Sequence, residues 1–192
     1  MPPHPTAPLL HALRTATRQA HHLLDHHALL APLPRADITL TAYGDALAAL
    51  HGIHLAGETA IAAGLARLGL DYDWQPRQTE LEADLAALGR TPWPLRIPTA
   101  PCQDAADLIG YLYVIEGSRL GGLVIGRQLA THLPQAPRRF YDDQHAPARW
   151  AGFNQFAEAC CPPEQHPRAL GTAQAVFQDY ASHLDDCLGG GR

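Results

Sequence analysis

Apolar residues recur every three to four positions in several long stretches of the chain, and prolines or glycines separate these stretches. This period is typical of amphipathic helices. The first stretch predicts a helix from Pro8, with Thr6 as a candidate cap, to about Leu30, before the prolines at 32 and 34. Further helices are expected over residues 39–69, 79–88, 103–133, 145–160 and 163–188.

Strand patterns are missing from the sequence, because no alternating run of β-branched residues lasts four positions. There is also no internal repeat and no shift in composition that would mark a domain boundary. The sequence therefore predicts an all-α protein with a single domain over residues 1–192 and an ordered core from about 9 to 188.

The fourth predicted helix carries several glycines within an apolar sequence. Each glycine costs a helix interior about 0.5–1 kcal/mol relative to alanine. On a wheel of about 100° per residue, Gly110, Gly117 and Gly121 lie close together, with Val114 beside them. Gly126 faces about 140° away, which indicates a packing position. The pattern predicts a strip of bare backbone on which a flat ligand could lie.

Composition limits the class of protein. With 192 residues and 46% apolar content, the chain is long enough to bury a substantial core. No uninterrupted apolar run is long enough for a membrane span, and the N-terminus lacks the features of a secretory signal. These features predict a cytoplasmic protein. Four cysteines without a CxxC spacing argue against a disulfide scaffold.

The charge pattern limits the ligands. The net charge is −5, lysine is absent, and the arginines form no basic stripe, so nucleic-acid binding is not expected. An anionic group on a ligand would have to be bound by arginine, histidine or backbone N–H groups.

One of the twelve histidines differs from the others in its place on the helix. On the first predicted helix, His21 lies about 20° from Leu10 and so faces the same side as the apolar stripe. A lone histidine on an apolar face is more often a hydrogen-bonded core residue than a ligand. The geometry alone leaves both interpretations open.

Arg14 lies two helical turns before His21, about 10 Å along the axis, at the edge of the same face. Arg18 lies further round the helix. A planar ligand with a metal centre and peripheral carboxylates would need such an imidazole and guanidinium. A salt bridge from Arg14 to Asp25 or Glu58 is the alternative.

Two segments resemble motifs of one family. Residues 13–25 are similar to the first helix of haem oxygenases, where the histidine four residues after a threonine is the proximal iron ligand; here these are Thr17 and His21. Residues 113–122 resemble the distal helix of the bacterial, biliverdin-producing branch. Residues 43–54 and 81–89 are also similar to that branch, so the resemblance spans about 9–188.

The resemblance implies an all-helical bundle with haem between a proximal and a distal helix. Haem is then both prosthetic group and substrate, cleaved with O₂ and external electrons to biliverdin, CO and iron. The implied partners are a ferredoxin or reductase as electron donor and a bacteriophytochrome as biliverdin acceptor. The implied distal residues are Gly117, Ser118, Gly121 and Gly122. The implied haem-binding residues are His21, Arg14, Thr17, Asp25, Tyr113, Val114, Tyr180 and His183.

Two positions depart from the family pattern. Ser118 stands where many animal-type members have an aspartate that anchors a water network, so another group must support proton delivery. Glu116 points away from the glycine face and is not expected to do so. In the last predicted helix, the segment 177–183 that corresponds to the family's propionate-binding region has no basic residue except His183. Propionate binding is therefore expected from Arg14, with help from Tyr180 or His183.

One alternative stays open at this point, and the sequence argues against two others. A sensor or carrier that binds haem without turnover would fit the missing distal aspartate. A helical protein with two non-haem metal ions would need Glu-x-x-His motifs, and none occurs in the sequence. A thiaminase-like helical protein would need a nucleophilic cysteine on an inner face.

Overall fold

The computed structural model describes residues 8–94 and 100–189. Within these ranges the chain forms six α-helices and two short 3₁₀ turns, and no strand. The all-α prediction is confirmed, while the candidate cap Thr6 lies outside the described residues. The helices are α1 Pro8–Asp25, α2 Leu40–Leu68, α3 Gln78–Ala87, α4 Ala105–His132, α5 Ala146–Cys160 and α6 His166–Gly189, with 3₁₀ turns at Arg139–Tyr141 and Pro163–Gln165.

Local capping residues fix several helix ends close to the predicted positions. The Thr39 side chain accepts a hydrogen bond from the backbone N–H of Ala42 at the start of α2. Gly69 ends α2 with a φ of 62°, in the left-handed region that favours glycine. Gly89, two residues after α3, has the same φ. These boundaries depend on neighbouring residues, and the sequence predicted them.

The first helix ends at Asp25 and not near Leu30, so that part of the prediction is wrong. The side chain of His27 explains the early end. Its Nδ1 lies 3.2 Å from the backbone N of Leu29, and its Nε2 lies 3.3 Å from a carboxylate oxygen of Asp185 on α6. His27 thus takes up a backbone N–H that a longer helix would use and holds the following turns against α6.

Helix α4 lies at the centre of the fold, where it packs against α2, α5 and α6, and α1 packs against α6. Gly110 is required at one of these contacts. A Cβ atom there would lie 2.7 Å from Cβ of Thr172 and 2.9 Å from the carbonyl oxygen of Ala169. Gly110 therefore lets α4 approach α6, and it does not belong to a ligand-binding face as the wheel suggested.

Helices α2 and α4 are long and apolar enough to cross a membrane by length and composition. More than half of the most apolar stretch of each, 56% and 61%, is buried inside the fold. Core helices pass the same test, so the two helices are weak evidence for a membrane protein.

Candidate ligand-binding cavity

A cavity of about 900 Å³ lies between α1 and α4. Side chains from α2, α5, α6, the Arg139–Tyr141 turn, the loop after α1 and Arg77 before α3 complete its walls. This volume is within the range of pockets that hold small-molecule ligands. Eleven of the residues predicted from the sequence line it: Arg14, Thr17, His21, Asp25, Tyr113, Val114, Gly117, Ser118, Gly121, Gly122 and Tyr180.

His21 presents its imidazole to the cavity from α1. Its side chain is 62% exposed, and its Nδ1 lies 2.9 Å from a carboxylate oxygen of Asp25, one turn further along the helix. A carboxylate at Nδ1 favours the tautomer with its proton there and leaves Nε2 as a neutral donor for a metal. Phe177 of α6 packs beside the imidazole, with ring centroids 5.9 Å apart.

The glycines of α4 divide into open and covered positions. A Cβ at Gly121 would meet nothing within 4 Å, so its backbone is bare toward the cavity. At Gly117 it would lie 3.5 Å from Trp150, an ordinary contact, and at Gly122 it would lie 3.2 Å from Tyr141. At Gly126 it would lie 2.6 Å from the carbonyl oxygen of Tyr141, in agreement with the predicted packing role. The open backbone is concentrated at Gly121.

Ser118 is exposed, but its hydroxyl hydrogen is already used, because Oγ donates to the carbonyl of Ile115 at 2.7 Å. It keeps only lone pairs for a water molecule. Glu116 is fully buried, accepts a hydrogen bond from Tyr72 at 2.9 Å, and does not line the cavity. The position of Glu116 therefore agrees with the expectation that it points away from the glycine face.

A hydrogen bond joins α1 and α4 beside the cavity. Thr17 donates to the carbonyl of Leu13 at 2.7 Å, so the hydroxyl of Tyr113, 3.2 Å away, donates to Thr17 Oγ1. Burial raises the pKa of Tyr113, which keeps this phenol protonated as the donor. The pair fixes the spacing of the two helices.

The two arginines of α1 lie on the cavity wall, and no acidic residue in the described part of the chain pairs with them. Arg14 and Arg18 are exposed and form no salt bridge within the described ranges. Asp25 pairs with His21, and Glu58 pairs with His54 at 3.1 Å. The alternative salt bridges of Arg14 are therefore wrong, and both guanidinium groups can bind an anionic part of a ligand.

Tyr180 and His183 of α6 have different surroundings. Tyr180 lines the cavity and its hydroxyl lies 3.3 Å from Nδ1 of His54. His183 is fully buried, outside the cavity lining, with its Nε2 2.9 Å from the carbonyl of Ala49. The expectation that His183 reaches a propionate is corrected, because packing against α2 turns it away from the cavity.

Several lining residues were not predicted from the sequence. They come from helices and loops far apart in the chain. Arg119 lies within the glycine motif, and no local motif marked the others. Phe140 packs edge-on against His54, with ring centroids 5.0 Å apart. These residues include Arg77, Arg119, Phe140, Trp150, Asn154 and Phe177.

The fold and the cavity together define a class: an all-α protein in which one helix presents a histidine and a facing helix presents bare glycine backbone across a large cavity. The chain belongs to the haem oxygenase family, whose model, described as heme oxygenase, matches residues 7–186. A curated relative named heme oxygenase, from Xanthomonas campestris pv. campestris (strain 8004), is 29% identical over 161 residues, covering 83% of this chain and 96% of the relative.

Solved structures of bacterial haem oxygenases share the fold. The NO- and CO-bound enzyme from Neisseria meningitidis matches with a TM-score of 0.77 and 21% identity, covering 94% of this chain and 92% of that one. The enzyme from Leptospira interrogans matches with a TM-score of 0.72 and 16% identity, covering 93% and 98%. Haem oxygenase-1 from Synechocystis sp. PCC6803, in complex with heme, matches with 0.70 and 15%, covering 95% and 93%.

Proposed function

We propose that this protein is a haem oxygenase that cleaves haem to biliverdin, CO and iron. The observation that carries the proposal is the placement of His21 and Gly121 on the walls of one cavity, with Asp25 at the far nitrogen of the imidazole. Bound haem supplies the iron centre at which O₂ is activated and the ring that is cleaved.

The residues of this chain would bind and orient that ring. His21 is the proposed axial ligand, held by Asp25. Gly121 leaves room for a flat ligand at the backbone of α4, and Gly117 and Gly122 line the same helix. Arg14, with Arg18, is the proposed partner of the propionates, because arginine binds carboxylates strongly through paired N–H groups.

Contacts with the edge of the ring are proposed for Thr17, Tyr113, Val114 and Tyr180, which line the cavity. Ser118 is proposed to accept a hydrogen bond from water, since its hydroxyl group already donates to the carbonyl of Ile115. The electrons would come from a ferredoxin or a reductase in the cytoplasm. We also infer that residues 1–192 form one domain.

The decisive experiment compares His21→Ala with His22→Ala. His22 is exposed, adjacent in sequence and outside the cavity lining, so it is a matched control. Wild-type protein and His22→Ala should bind haem with one axial histidine and, with ascorbate or a ferredoxin system in air, lose the Soret band as biliverdin absorbance appears. His21→Ala should stay helical and lose the axial-histidine spectrum.

Two results would contradict the proposal in different ways. If His21→Ala keeps the spectrum and the turnover, the ligand assignment is wrong. If the wild-type Soret band persists and no biliverdin forms, the protein is a haem sensor or carrier. The use of the product is a separate question: a neighbouring phytochrome gene would favour biliverdin supply to a bacteriophytochrome over iron acquisition.

A further inference from the structure

We propose that Asp143, Arg119 and Arg77 form a buried water site beside the cavity, and that Asp143 supplies the carboxylate that is missing at position 118. This inference rests on the proposed function, because haem cleavage consumes protons that must reach the cavity. Asp143 follows the Arg139–Tyr141 turn. Along the sequence, the second half of α4, a loop and this turn separate it from Ser118.

The geometry leaves buried polar atoms without partners. Asp143 is 5% exposed, and its Oδ2 lies 3.7 Å from Nε of Arg119, which is 6% exposed. That separation is too long for a direct hydrogen bond, and neither atom has another partner among the described residues. Arg77 Nε is also buried and unpartnered, and Nη1 of the same guanidinium lies 4.0 Å from Asp143 Oδ1. Buried groups in this state are ordinarily bridged by ordered water.

Both guanidinium groups are held in place by other contacts. Rotation of the arginine side chains therefore does not simply bring them within hydrogen-bond distance of Asp143. Arg119 donates to Glu116 at 3.3 Å and to the carbonyl of Gln75, and its guanidinium lies 5.5 Å from the ring centroid of Trp74. Arg77 donates to the carbonyl groups of residues 139 and 140 in the 3₁₀ turn. Direct pairing with Asp143 would require these contacts to be rearranged.

The site adjoins the cavity through the same two arginines, since both line its wall. A water that accepts from Arg119 Nε and donates one hydrogen to Asp143 Oδ2 keeps its second hydrogen for a further water on the cavity side. Protons that the reaction consumes would come from solvent along such waters, and Asp143 would orient the water without donating a proton itself. Asp143 is therefore a positioning residue.

The other buried carboxylates near the cavity are already in use. Glu58 accepts hydrogen bonds from the backbone N–H groups of Arg77 and Gln78 and pairs with His54. Glu116 accepts from Tyr72 and Arg119. Among the carboxylates that the structure describes, Asp143 has the one buried oxygen without a partner. Its Oδ1 accepts from the backbone N–H of His145, which fixes the orientation of the group.

A crystal structure of the haem-free protein at high resolution tests the site directly. We expect an ordered water within hydrogen-bond distance of Asp143 Oδ2 and Arg119 Nε. A direct hydrogen bond between Arg119 and Asp143, with no water between them, would overturn the proposal. This measurement needs neither haem nor turnover.

The role of the charge is tested with Asp143→Asn, which keeps the oxygen that accepts from His145. Asp142→Asn is the matched control, because Asp142 is the exposed neighbour and contacts Gln144. Without the Asp143 charge, the guanidinium groups of Arg119 and Arg77 lose one acidic neighbour and keep Glu116 and Glu80, so the field at the cavity wall becomes more positive. A more positive field strengthens donation from iron into CO, so the C–O stretching frequency of the ferrous CO complex should fall in Asp143→Asn and stay unchanged in Asp142→Asn.

Turnover with ascorbate should fall about ten-fold or more in Asp143→Asn, with a larger solvent deuterium isotope effect and an unchanged haem Kd. An unchanged CO stretch or unchanged turnover in this variant would overturn the role of Asp143 while leaving the haem oxygenase assignment intact. A wild-type protein that fails to convert haem would instead overturn the proposed function. In that case the crystal structure of the haem-free protein would still test the water site.

Discussion

At the scale of single residues, the proposed metal site depends on the carboxylate beside His21 as much as on the imidazole. Asp25 lies one helical turn after His21, and the two side chains meet at 2.9 Å without help from any other element. A carboxylate in this position fixes the ring orientation and raises the basicity of the nitrogen that faces a metal.

Asp25→Asn should weaken the proposed haem site without unfolding α1. Loss of the carboxylate makes His21 a weaker donor, so haem affinity should fall by about ten-fold and the iron–histidine stretching frequency should decrease. Titration and resonance Raman spectra measure these effects. Asp37→Asn is the control, since Asp37 pairs with Arg35 on the surface and outside the cavity. Equal effects in both variants would show that Asp25 acts only through net charge.

Gly121→Val tests the bare backbone of α4. The Cβ atom of the added side chain meets nothing within 4 Å in the protein, so the variant should leave Tm nearly unchanged and lower haem affinity by at least about ten-fold through a clash with the ligand. Gly171→Val on α6 is the matched control, because Gly171 is also open and lies outside the cavity. Gly126 is unsuitable, since a Cβ there meets the Tyr141 carbonyl at 2.6 Å. Normal haem binding by Gly121→Val would contradict the proposed haem position.

At the scale of secondary structure, the contact between α4 and α6 combines a close approach at Gly110 with an ion pair. Asp107 accepts hydrogen bonds from Arg168 at 2.8 and 2.9 Å and from Thr172 at 2.8 Å. Burial acts to raise the pKa of Asp107, but the bonds from Arg168, the backbone N–H of Gln103 and Thr172 together lower it.

This pKa shift predicts a loss of stability in acid. Because the folded-state pKa lies below the unfolded value of about 3.9, the stabilisation is present above that pH and is lost as the pH falls through the folded pKa. Asp107→Asn should lower stability at neutral pH by about 1 kcal/mol, or about 2–4 °C in Tm, and should lose less on acidification than wild type. Thermal melts at pH 7 and pH 3 measure both effects.

Asp37→Asn is the control for this experiment. Asp37 pairs with Arg35 on the surface, and both side chains are mostly exposed, so its replacement should change Tm very little. If Asp107→Asn and Asp37→Asn show the same acid profile, the α4–α6 ion pair does not contribute to the acid sensitivity of the fold.

At the scale of the whole molecule, the cavity lies between helices that do not all pack directly against one another. Its walls come from five of the six helices, and α1 is held mainly by α6. A ligand that contacts both α1 and α4 would therefore bridge the two helices across the cavity and stabilise the folded state.

Haem should accordingly stabilise the folded protein. At a free haem concentration one hundred times Kd, the free energy of unfolding should increase by about 2.7 kcal/mol. Hydrogen exchange should slow most in α1, and denaturant unfolding with and without haem measures the total. Metal-free protoporphyrin, which has no iron for His21, is the control and should stabilise less. Equal stabilisation by both compounds would argue against an iron–histidine bond.

The sequence by itself determined the features that depend on neighbours within one or two helical turns. The period of apolar residues predicted every helix, and Thr39, Gly69 and Gly89 marked ends that the structure confirms. The motif around His21 and the glycines of α4 led to the family through their resemblance to its two helix motifs. Helical spacing decided which of these residues share a face.

Only the tertiary structure decided which residues from distant segments meet. His27 ends α1 early because Asp185 lies beside it, Gly110 packs against α6, and His183 turns toward α2 and away from the cavity. The buried group of Asp143, Arg119 and Arg77 likewise joins three elements. The period of apolar residues predicts which face of a helix a residue occupies. It carries no information on the distance between two helices, which depends on how the whole chain packs.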